Sequence, residues 1–134
     1  NKDSQIKGDL KVMIKLDKQV TVFVPEKDND GNTLDFTEQI NGIIATVGGE
    51  TVTPAQGYWV SNTDGSLMVD LMNLVSFNYQ AESGKDSHMN DRIKEFIQAI
   101  LAIGKQEGVS VKIDGTLYIV SSVGDVEELA DLLN

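Results

Sequence analysis

The stretch KVMIKLDKQVTVFVP, residues 11–25, decides how the fold begins. Apolar side chains occupy alternate positions on both sides of Asp17, at Val12, Ile14, Leu16, Val20, Val22 and Val24. This alternation predicts β-structure with one buried face. Either one long strand or a hairpin that turns at residues 17–19 satisfies the pattern, and Pro25, which has no backbone N–H, marks its end.

Three later segments carry a helical period instead. Their apolar residues recur at intervals of three and four, which is typical of a helix with one buried face. The first stripe is Phe36, Ile40, Ile43, Ile44 and Val47; the second, between about His88 and Glu107, is Met89, Ile93, Phe96, Ile97, Ile100 and Leu101; the third is Val126, Leu129, Ala130 and Leu133.

Residues of the helix-capping type flank these segments. Two pairs have the spacing of a capping box, Asp35/Glu38 and Asp125/Glu128. In such a box, two side chains satisfy free backbone N–H groups of the first turn. Gly48-Gly49 and Gly108 are expected to end the first two helices, because glycine adopts the left-handed conformation found there.

Two further pairs of segments predict hairpins. Residues 50–61 and 66–80 flank the turn sequence NTDG, and residues 109–113 and 116–120 flank Asp114-Gly115. Asp-Gly between alternating runs is the strongest short hairpin signal, because both turn residues need a positive φ. The predicted core face of the longer strand carries Leu67, Val69, Leu71, Val75, Phe77 and Tyr79.

The order of these elements predicts an α+β fold. The first six match the ferredoxin-like βαββαβ pattern, an antiparallel sheet with its helices on one face. A C-terminal hairpin strand and a short helix are added to this core. Residues 1–10 are predicted to be a disordered or frayed N-terminal segment, and residues 11–134 to form a single domain.

Three segments resemble a family of small uncharacterised bacterial and phage proteins with a ferredoxin-like core. They are VTVFVP (20–25), GGETVTPAQGYWVS (48–61) and VKIDGTLYIV (111–120), within a span of roughly residues 19–120. The shared features are a strand that ends in proline, a glycine-rich entry to a strand, and a closing hairpin. The resemblance implies the same fold and carries no established activity to this chain.

The excess of acidic residues limits the classes of partner that this protein is expected to bind. The 134 residues include 21 acids and 11 Lys or Arg, which gives a formal charge of −10. Nucleic acids and anionic membrane surfaces are bound by basic side chains, so neither is an expected partner. Because there is no cysteine, disulfide and thiolate chemistry are excluded, and no cofactor is predicted. A cytoplasmic location is expected, with secretion after removal of a signal peptide left open.

The segment EKDNDGNTLDFTE, residues 26–38, invites comparison with a calcium-binding EF-hand loop. Acids stand at alternate positions ahead of Gly31, namely Glu26, Asp28 and Asp30. With Gly31 at loop position 6, the bidentate acid should stand where Thr37 is, and Glu38 is one position too far along. A strand, not a helix, precedes the loop, so we predict no metal site here.

The single histidine, His88, stands beside Asp86, Ser87 and Asp91. These residue types suggest a catalytic triad, but triad side chains converge from separate segments, and these are near neighbours at a helix start. Ser87 as the helix N-cap, with Asp91 in the first turn facing the helix dipole, explains them better. No catalytic residue is predicted.

The best candidates for binding residues are Tyr58, Trp59 and Asp70. Neighbouring positions on a regular strand point to opposite faces of the sheet, so either Tyr58 or Trp59 should lie on the face away from the helices. Asp70 interrupts an otherwise apolar strand.

The absence of a convergent catalytic set predicts a non-catalytic binding or regulatory module, of the kind encoded by phages or mobile elements. The alternative is a small carboxylate-dependent enzyme that acts on a small molecule, with Asp70 joined by Glu50 or Glu82.

Self-association is also expected. The apolar face of residues 12–16 and the sheet face that carries Met68 and Met72 both need cover, because exposed apolar edges and faces invite pairing. A homodimer, formed by packing of two sheets or by exchange of the N-terminal segment, satisfies both needs; a protein partner would serve as well.

Overall fold

The computed structural model describes residues 13–82 and 88–133, so the expectations for residues 1–12 and for Ser87 fall outside this range. Five strands lie within it: β1 (Lys18–Pro25), β2 (Thr51–Val60), β3 (Leu67–Tyr79), β4 (Val109–Ile113) and β5 (Thr116–Val120). The helices are α1 (Thr37–Val47), α2 (Met89–Ile103) and α3 (Val123–Ala130), which continues into a 3₁₀ turn at Asp131–Leu133.

The five strands form one antiparallel sheet in the order β2-β3-β1-β4-β5. Strand β1 lies at its centre: it pairs along its whole length with β3, and residues 20–22 also pair with β4. The chain is therefore a mixed α+β protein, as the order of its elements predicts.

One continuous core lies between the sheet and the helices. The strands contribute Val20, Val22, Val24, Val75, Phe77, Tyr79, Val109, Val111, Ile113 and Val120; the helical segments contribute Phe36, Ile43, Met89, Ile93, Phe96, Ile97, Ile100, Val126, Leu129 and Leu133. Burial of each large apolar side chain stabilises the fold by about 1.5–3 kcal/mol. The predicted stripes are confirmed, except that Ile44 is exposed and Ile40, Val47 and Leu101 are only partly buried.

The buried strand residues all point to the side of the sheet on which the helices pack. The opposite side, called here the open face, includes Thr21 and Ser76, whose hydroxyl oxygens lie 3.0 Å apart. No helix within the described ranges covers it. Helix α3 does not cover this face, because it buries Val126 and Leu129 in the core on the other side.

The segment before β1 departs from its prediction. Residues 13–17 form no strand; Ile14 is 83% exposed and Leu16 is 47% exposed. The physical reason is that both edges of β1 are already hydrogen-bonded, to β3 on one side and to β4 on the other. No edge therefore remains for a hairpin partner. A longer β1 would also lack a neighbour, because β3 ends at Tyr79, opposite Lys18.

The second helix ends earlier than predicted. Helix α2 stops at Ile103, and Gly104, not Gly108, follows it with its N–H donating to the carbonyl oxygen of Ile100 at 3.0 Å. A Cβ at Gly104 would clash with that same oxygen. Lys105 then takes the left-handed conformation, with φ 51°, and turns the chain away.

The helix caps differ in detail from the predicted capping boxes. At α1, Asp35 accepts a hydrogen bond from the N–H of Thr37 at 2.9 Å, and Gly48, with φ 89°, ends the helix as expected. At α3 the box lies three residues earlier than predicted. The Ser122 hydroxyl accepts from the N–H of Asp125 at 3.1 Å, and the Asp125 carboxylate accepts from the N–H of Ser121 at 3.0 Å.

The β4–β5 turn is a tight two-residue hairpin, as predicted. Asp114 and Gly115 both have positive φ, at 49° and 91°. The Asp114 carboxylate also accepts from the N–H of Gln19 and from Lys18 Nζ, each at 2.9 Å. These two contacts hold the pKa of Asp114 below its ordinary value and fasten the turn to the start of β1.

None of the helices within the described ranges is long and apolar enough to span a membrane.

Substitution of Gly115 tests whether the β4–β5 turn depends on a residue with positive φ. A Cβ there would meet nothing within 4 Å, so strain at φ 91° is the sole cost of Gly115→Ala. We expect this change to lower the free energy of unfolding by about 1–2 kcal/mol, measured by urea denaturation. Gly49→Ala is the matched control: it also meets open space, without a positive φ, and it should leave the urea midpoint near that of the wild type. Equal effects of the two changes would contradict the prediction.

Candidate functional site

A pocket of about 350 Å³ lies where β1 ends and α1 begins. This volume lies within the range of small-molecule sites, roughly 300–1,000 Å³. Its apolar lining is Val24, Pro25, Leu34, Phe36, Ile40, Val52 and Val75; its polar lining is Glu26, Lys27, Thr33, Asp35, Thr37 and Asn73. An apolar floor with a few polar side chains is the usual composition of a ligand site.

The pocket exists because β1 cannot continue. Pro25 is its last residue, and after the N–H of Glu26 donates to the carbonyl oxygen of Leu71 at 3.2 Å the chain leaves the sheet. It returns at Leu34, whose N–H donates to the carbonyl oxygen of Glu26 at 3.0 Å. The intervening loop forms one wall of the pocket, and the β2–β3 hairpin forms another.

Four polar side chains of the lining are free within the described part of the chain. Glu26, Lys27, Asn73 and the hydroxyl of Thr33 make no side-chain hydrogen bond or ion pair there. Asp35, in contrast, is already engaged by Thr37, and these hydrogen bonds hold the pKa of Asp35 below its ordinary value. The pocket therefore offers an unpaired carboxylate, an unpaired ammonium group, an unpaired amide and an unpaired hydroxyl to a ligand.

Two acids of the loop that was compared with an EF-hand, Asp28 and Asp30, already have partners within the protein. Asp28 Oδ1 accepts from the N–H groups of Asp30 and Asn32, at 2.9 and 2.8 Å, and these hydrogen bonds hold the pKa of Asp28 low. Asp30 pairs with Lys105 Nζ at 3.2 Å. Among the described residues, no three His, Cys, Asp or Glu side chains are grouped as a metal site would require.

The predicted binding residues lie elsewhere, on the part of the β2–β3 hairpin that extends beyond the end of β1. We call residues 56–71 the hairpin arm. Trp59 lies on the open face, where its indole N–H donates to Asp70 Oδ2 at 2.8 Å. Tyr58 lies on the other side and donates to Gln56 Oε1 at 2.8 Å. The Asp70 carboxylate is thus occupied by a hydrogen bond from Trp59. The structure does not bring Tyr58 together with either residue.

The carboxylates considered for an enzyme site are also apart. Asp70 pairs across the strands with Gly57. Glu50 is seven residues before Gly57, a separation of about 23 Å along an extended strand. Glu82 is exposed, beyond the far end of β3. These three acids form no common site.

Glu50 is nevertheless unusual. Both carboxylate oxygens are buried and have no hydrogen-bond partner among the described residues. Burial raises the pKa of Glu50 above its ordinary value, because the charged form has lost its water. Glu50 does not line the pocket.

His88 lies on the outer surface of α2, in a polar depression that includes Arg92, Lys94 and Glu127. The charges here satisfy one another: Arg92 pairs with Glu95 at 3.0 Å, and Lys94 with Glu127 at 3.2 Å. With no apolar floor, this depression is a poorer ligand site than the pocket at the end of β1. Asp86 and Ser87 fall outside the described residues.

The sequence matches no protein-family model and no curated protein. The fold is similar to two solved structures of phage SAM lyase, one in complex with S-methyl-5′-thioadenosine and one in the apo state. Their TM-scores are 0.57 and 0.55 at 15% and 16% sequence identity; each match covers 84% of this chain and 97% of the other.

This similarity corrects the functional prediction. A non-catalytic binding or regulatory module is the wrong expectation, because the solved neighbours are enzymes that act on S-adenosylmethionine. The alternative, an enzyme for a small molecule, agrees better with them and with the pocket.

Sequence reasoning missed the free residues of the pocket. Glu26 belongs to the segment compared with an EF-hand, while Lys27 and Asn73 drew no attention. The available signal was a pair of opposite charges directly after a strand-ending proline, at the start of a loop, where binding residues are common. Asn73 joins them only through the pairing of β1 with β3, which the sequence does not reveal.

Glu50 makes the stability of the fold depend on pH. Because its folded-state pKa is raised, the folded chain binds this proton more tightly than the unfolded chain does. Its contribution to the free energy of unfolding therefore falls as pH rises from the ordinary glutamate value of 4.5. We expect Glu50→Gln to be more stable than the wild type at neutral pH and equal to it below about pH 4. Thermal unfolding across this range measures the difference, and Glu82→Gln is the control, with no pH-dependent gain. A loss of stability in Glu50→Gln at neutral pH would contradict the prediction.

Proposed function

We propose that this protein is an enzyme that cleaves S-adenosylmethionine and releases methylthioadenosine. The observation that carries the proposal is the similarity of the fold to phage SAM lyase over 97% of that protein's chain. The pocket at the end of β1 supports it, because its volume and its mixed lining suit a nucleoside with a charged tail.

We also propose that the fold has a ferredoxin-like core. The strand order β2-β3-β1-β4, with α1 between β1 and β2 and α2 between β3 and β4, supports a ferredoxin-like core. Strand β5 and helix α3 are then the C-terminal additions.

The charges of the pocket suit the charges of this substrate. S-Adenosylmethionine carries a sulfonium, an ammonium and a carboxylate, and so has a net charge of about +1 at neutral pH. The lining has two carboxylates, Glu26 and Asp35, and one ammonium group, Lys27. A chain with a net charge of −10 also attracts a cation over longer range. The product methylthioadenosine is neutral, so this attraction is lost once the bond has broken.

The reaction balances without a second substrate. The electron pair of the carbon–sulfur bond stays on sulfur, which converts the sulfonium to the neutral thioether of methylthioadenosine. The remaining four-carbon fragment either closes on its own carboxylate to form a lactone or loses a proton from the adjacent carbon to water, which leaves a carbon–carbon double bond. We propose that Glu26, as the free carboxylate of the pocket, faces the ammonium group of the substrate. A substrate made inside cells would place the protein in the cytoplasm.

The direct test is incubation of the purified protein with S-adenosylmethionine, with methylthioadenosine measured by liquid chromatography and mass spectrometry. We expect catalytic release by the wild type. Glu26→Gln should lower kcat/KM by roughly 10- to 100-fold, the equivalent of one charge-assisted contact. Glu128→Gln, which removes an exposed acid on α3, is the matched control and should be unaffected. If the wild type releases no methylthioadenosine, the proposed function is wrong.

Self-association remains a proposal, and the structure suggests a different surface for it. We propose that two copies pack through the hairpin arm, whose exposed apolar side chains are Tyr58, Trp59, Val60, Leu67, Met68, Val69 and Leu71. A two-stranded ribbon of this kind has little stability without cover. The arm contains no Lys or Arg and only Asp64 and Asp70 as acids, so two strongly acidic copies repel each other least there. Tyr58, Trp59 and Asp70 would then be contact residues.

Light scattering tests this association. We expect a mass of twice the 14.6 kDa of one chain at micromolar concentration. Leu67→Arg, at a position 66% exposed on the arm, should give the single-chain mass, because a buried unpaired charge opposes the contact. Ile119→Arg, at a position 72% exposed on β5, is the control and should leave the dimer intact. A wild type of single-chain mass at high micromolar concentration would refute the proposal.

A further inference from the structure

We infer that Lys27 is a specificity-determining residue, which selects ligands that carry a carboxylate at the end remote from the nucleoside. The inference rests on the proposed function and adds to it: it says which end of the substrate one side chain recognises. Lys27 is expected to set which ligand is preferred, and it has no part in breaking the carbon–sulfur bond.

The position of Lys27 in the pocket is the first support. Lys27 follows Glu26 at the point where the chain leaves the sheet, and both line the pocket. The backbone there is held in place, because residues 27 and 33 form an isolated β-bridge across the loop. The side chain is thus free while its anchor is fixed, which suits recognition of a ligand group.

The ion pairs of the cationic side chains are the second support. Of the seven Lys and Arg in the described part of the chain, four are engaged: Lys18 with Asp114, Arg92 with Glu95, Lys94 with Glu127, and Lys105 with Asp30. Lys15, Lys27 and Lys112 have no such partner there, and of these three only Lys27 lines the pocket. An unpaired ammonium group beside an apolar floor is the feature that a carboxylate would complete.

The substrate carries its ammonium group and its carboxylate at the same end. In S-adenosylmethionine the ammonium and the carboxylate share one carbon atom, so neighbouring side chains of opposite charge can bind them together. Glu26 and Lys27 are such neighbours. A ligand without the carboxylate would leave Lys27 unpaired. Methylthioadenosine, which lacks the whole charged tail, would leave both Glu26 and Lys27 unpaired.

The experiment compares S-adenosylmethionine with its decarboxylated analogue, by calorimetric binding and by cleavage, in three variants. The wild type should prefer S-adenosylmethionine by about tenfold, the equivalent of one charge-assisted hydrogen bond. Lys27→Met should lose that preference and keep the wild-type affinity for the analogue. Lys27→Arg should retain the preference, because it keeps the charge. Lys112→Met is the matched control: this lysine is exposed on β4, on the open face, away from the pocket, and its loss should change nothing.

The outcomes separate the two proposals. If Lys27→Met keeps the wild-type preference, or loses affinity for both ligands equally, the inference about Lys27 is wrong while the proposed function stands. If the wild type binds neither ligand and releases no methylthioadenosine, the proposed function fails and the inference fails with it.

Discussion

The pairing of β1 on both of its edges is the constraint on which the rest of the structure depends. Because β3 and β4 occupy these edges, one side of β1 must face the helices, and its valines become the centre of the core. The same pairing leaves residues 13–17 without a strand partner. It also fixes where the sheet stops, since Pro25 ends β1 while β3 continues past it. The pocket and the hairpin arm both begin at that point.

Much of the fold could be predicted from the sequence, because its strongest signals are local. The Asp114-Gly115 turn and the helix stripes depend on residues a few positions apart, and periodicity reports them well. The errors arose where tertiary contacts overrule a local signal. Gly108 resembles a helix end, yet α2 stops at Gly104, and the alternation at Ile14 and Leu16 resembles a strand although no edge is free for it.

The candidate site could not be predicted in the same way. Lys27 and Asn73 are far apart in the chain, and only the antiparallel register of β1 and β3 places them around one pocket. The residues that the sequence favoured, Trp59 and Asp70, proved to satisfy each other. Adjacent aromatic residues and an acid within an apolar strand attract attention in a sequence, whereas a Glu-Lys pair after a proline does not. The functional signal therefore came from a fold comparison and from side chains left without partners.

The contact between Gln19 and the turn at Asp114 has a consequence for synthesis of the chain. The two residues are 95 positions apart, so β1 emerges from the ribosome long before β4 can pair with it. At about 5–20 residues per second, one edge of this apolar strand waits roughly 5–20 s for its partner. During that interval β1 can pair with β3 alone, and its open edge is exposed to other nascent chains. The central strand of the finished protein is thus exposed to mispairing during translation.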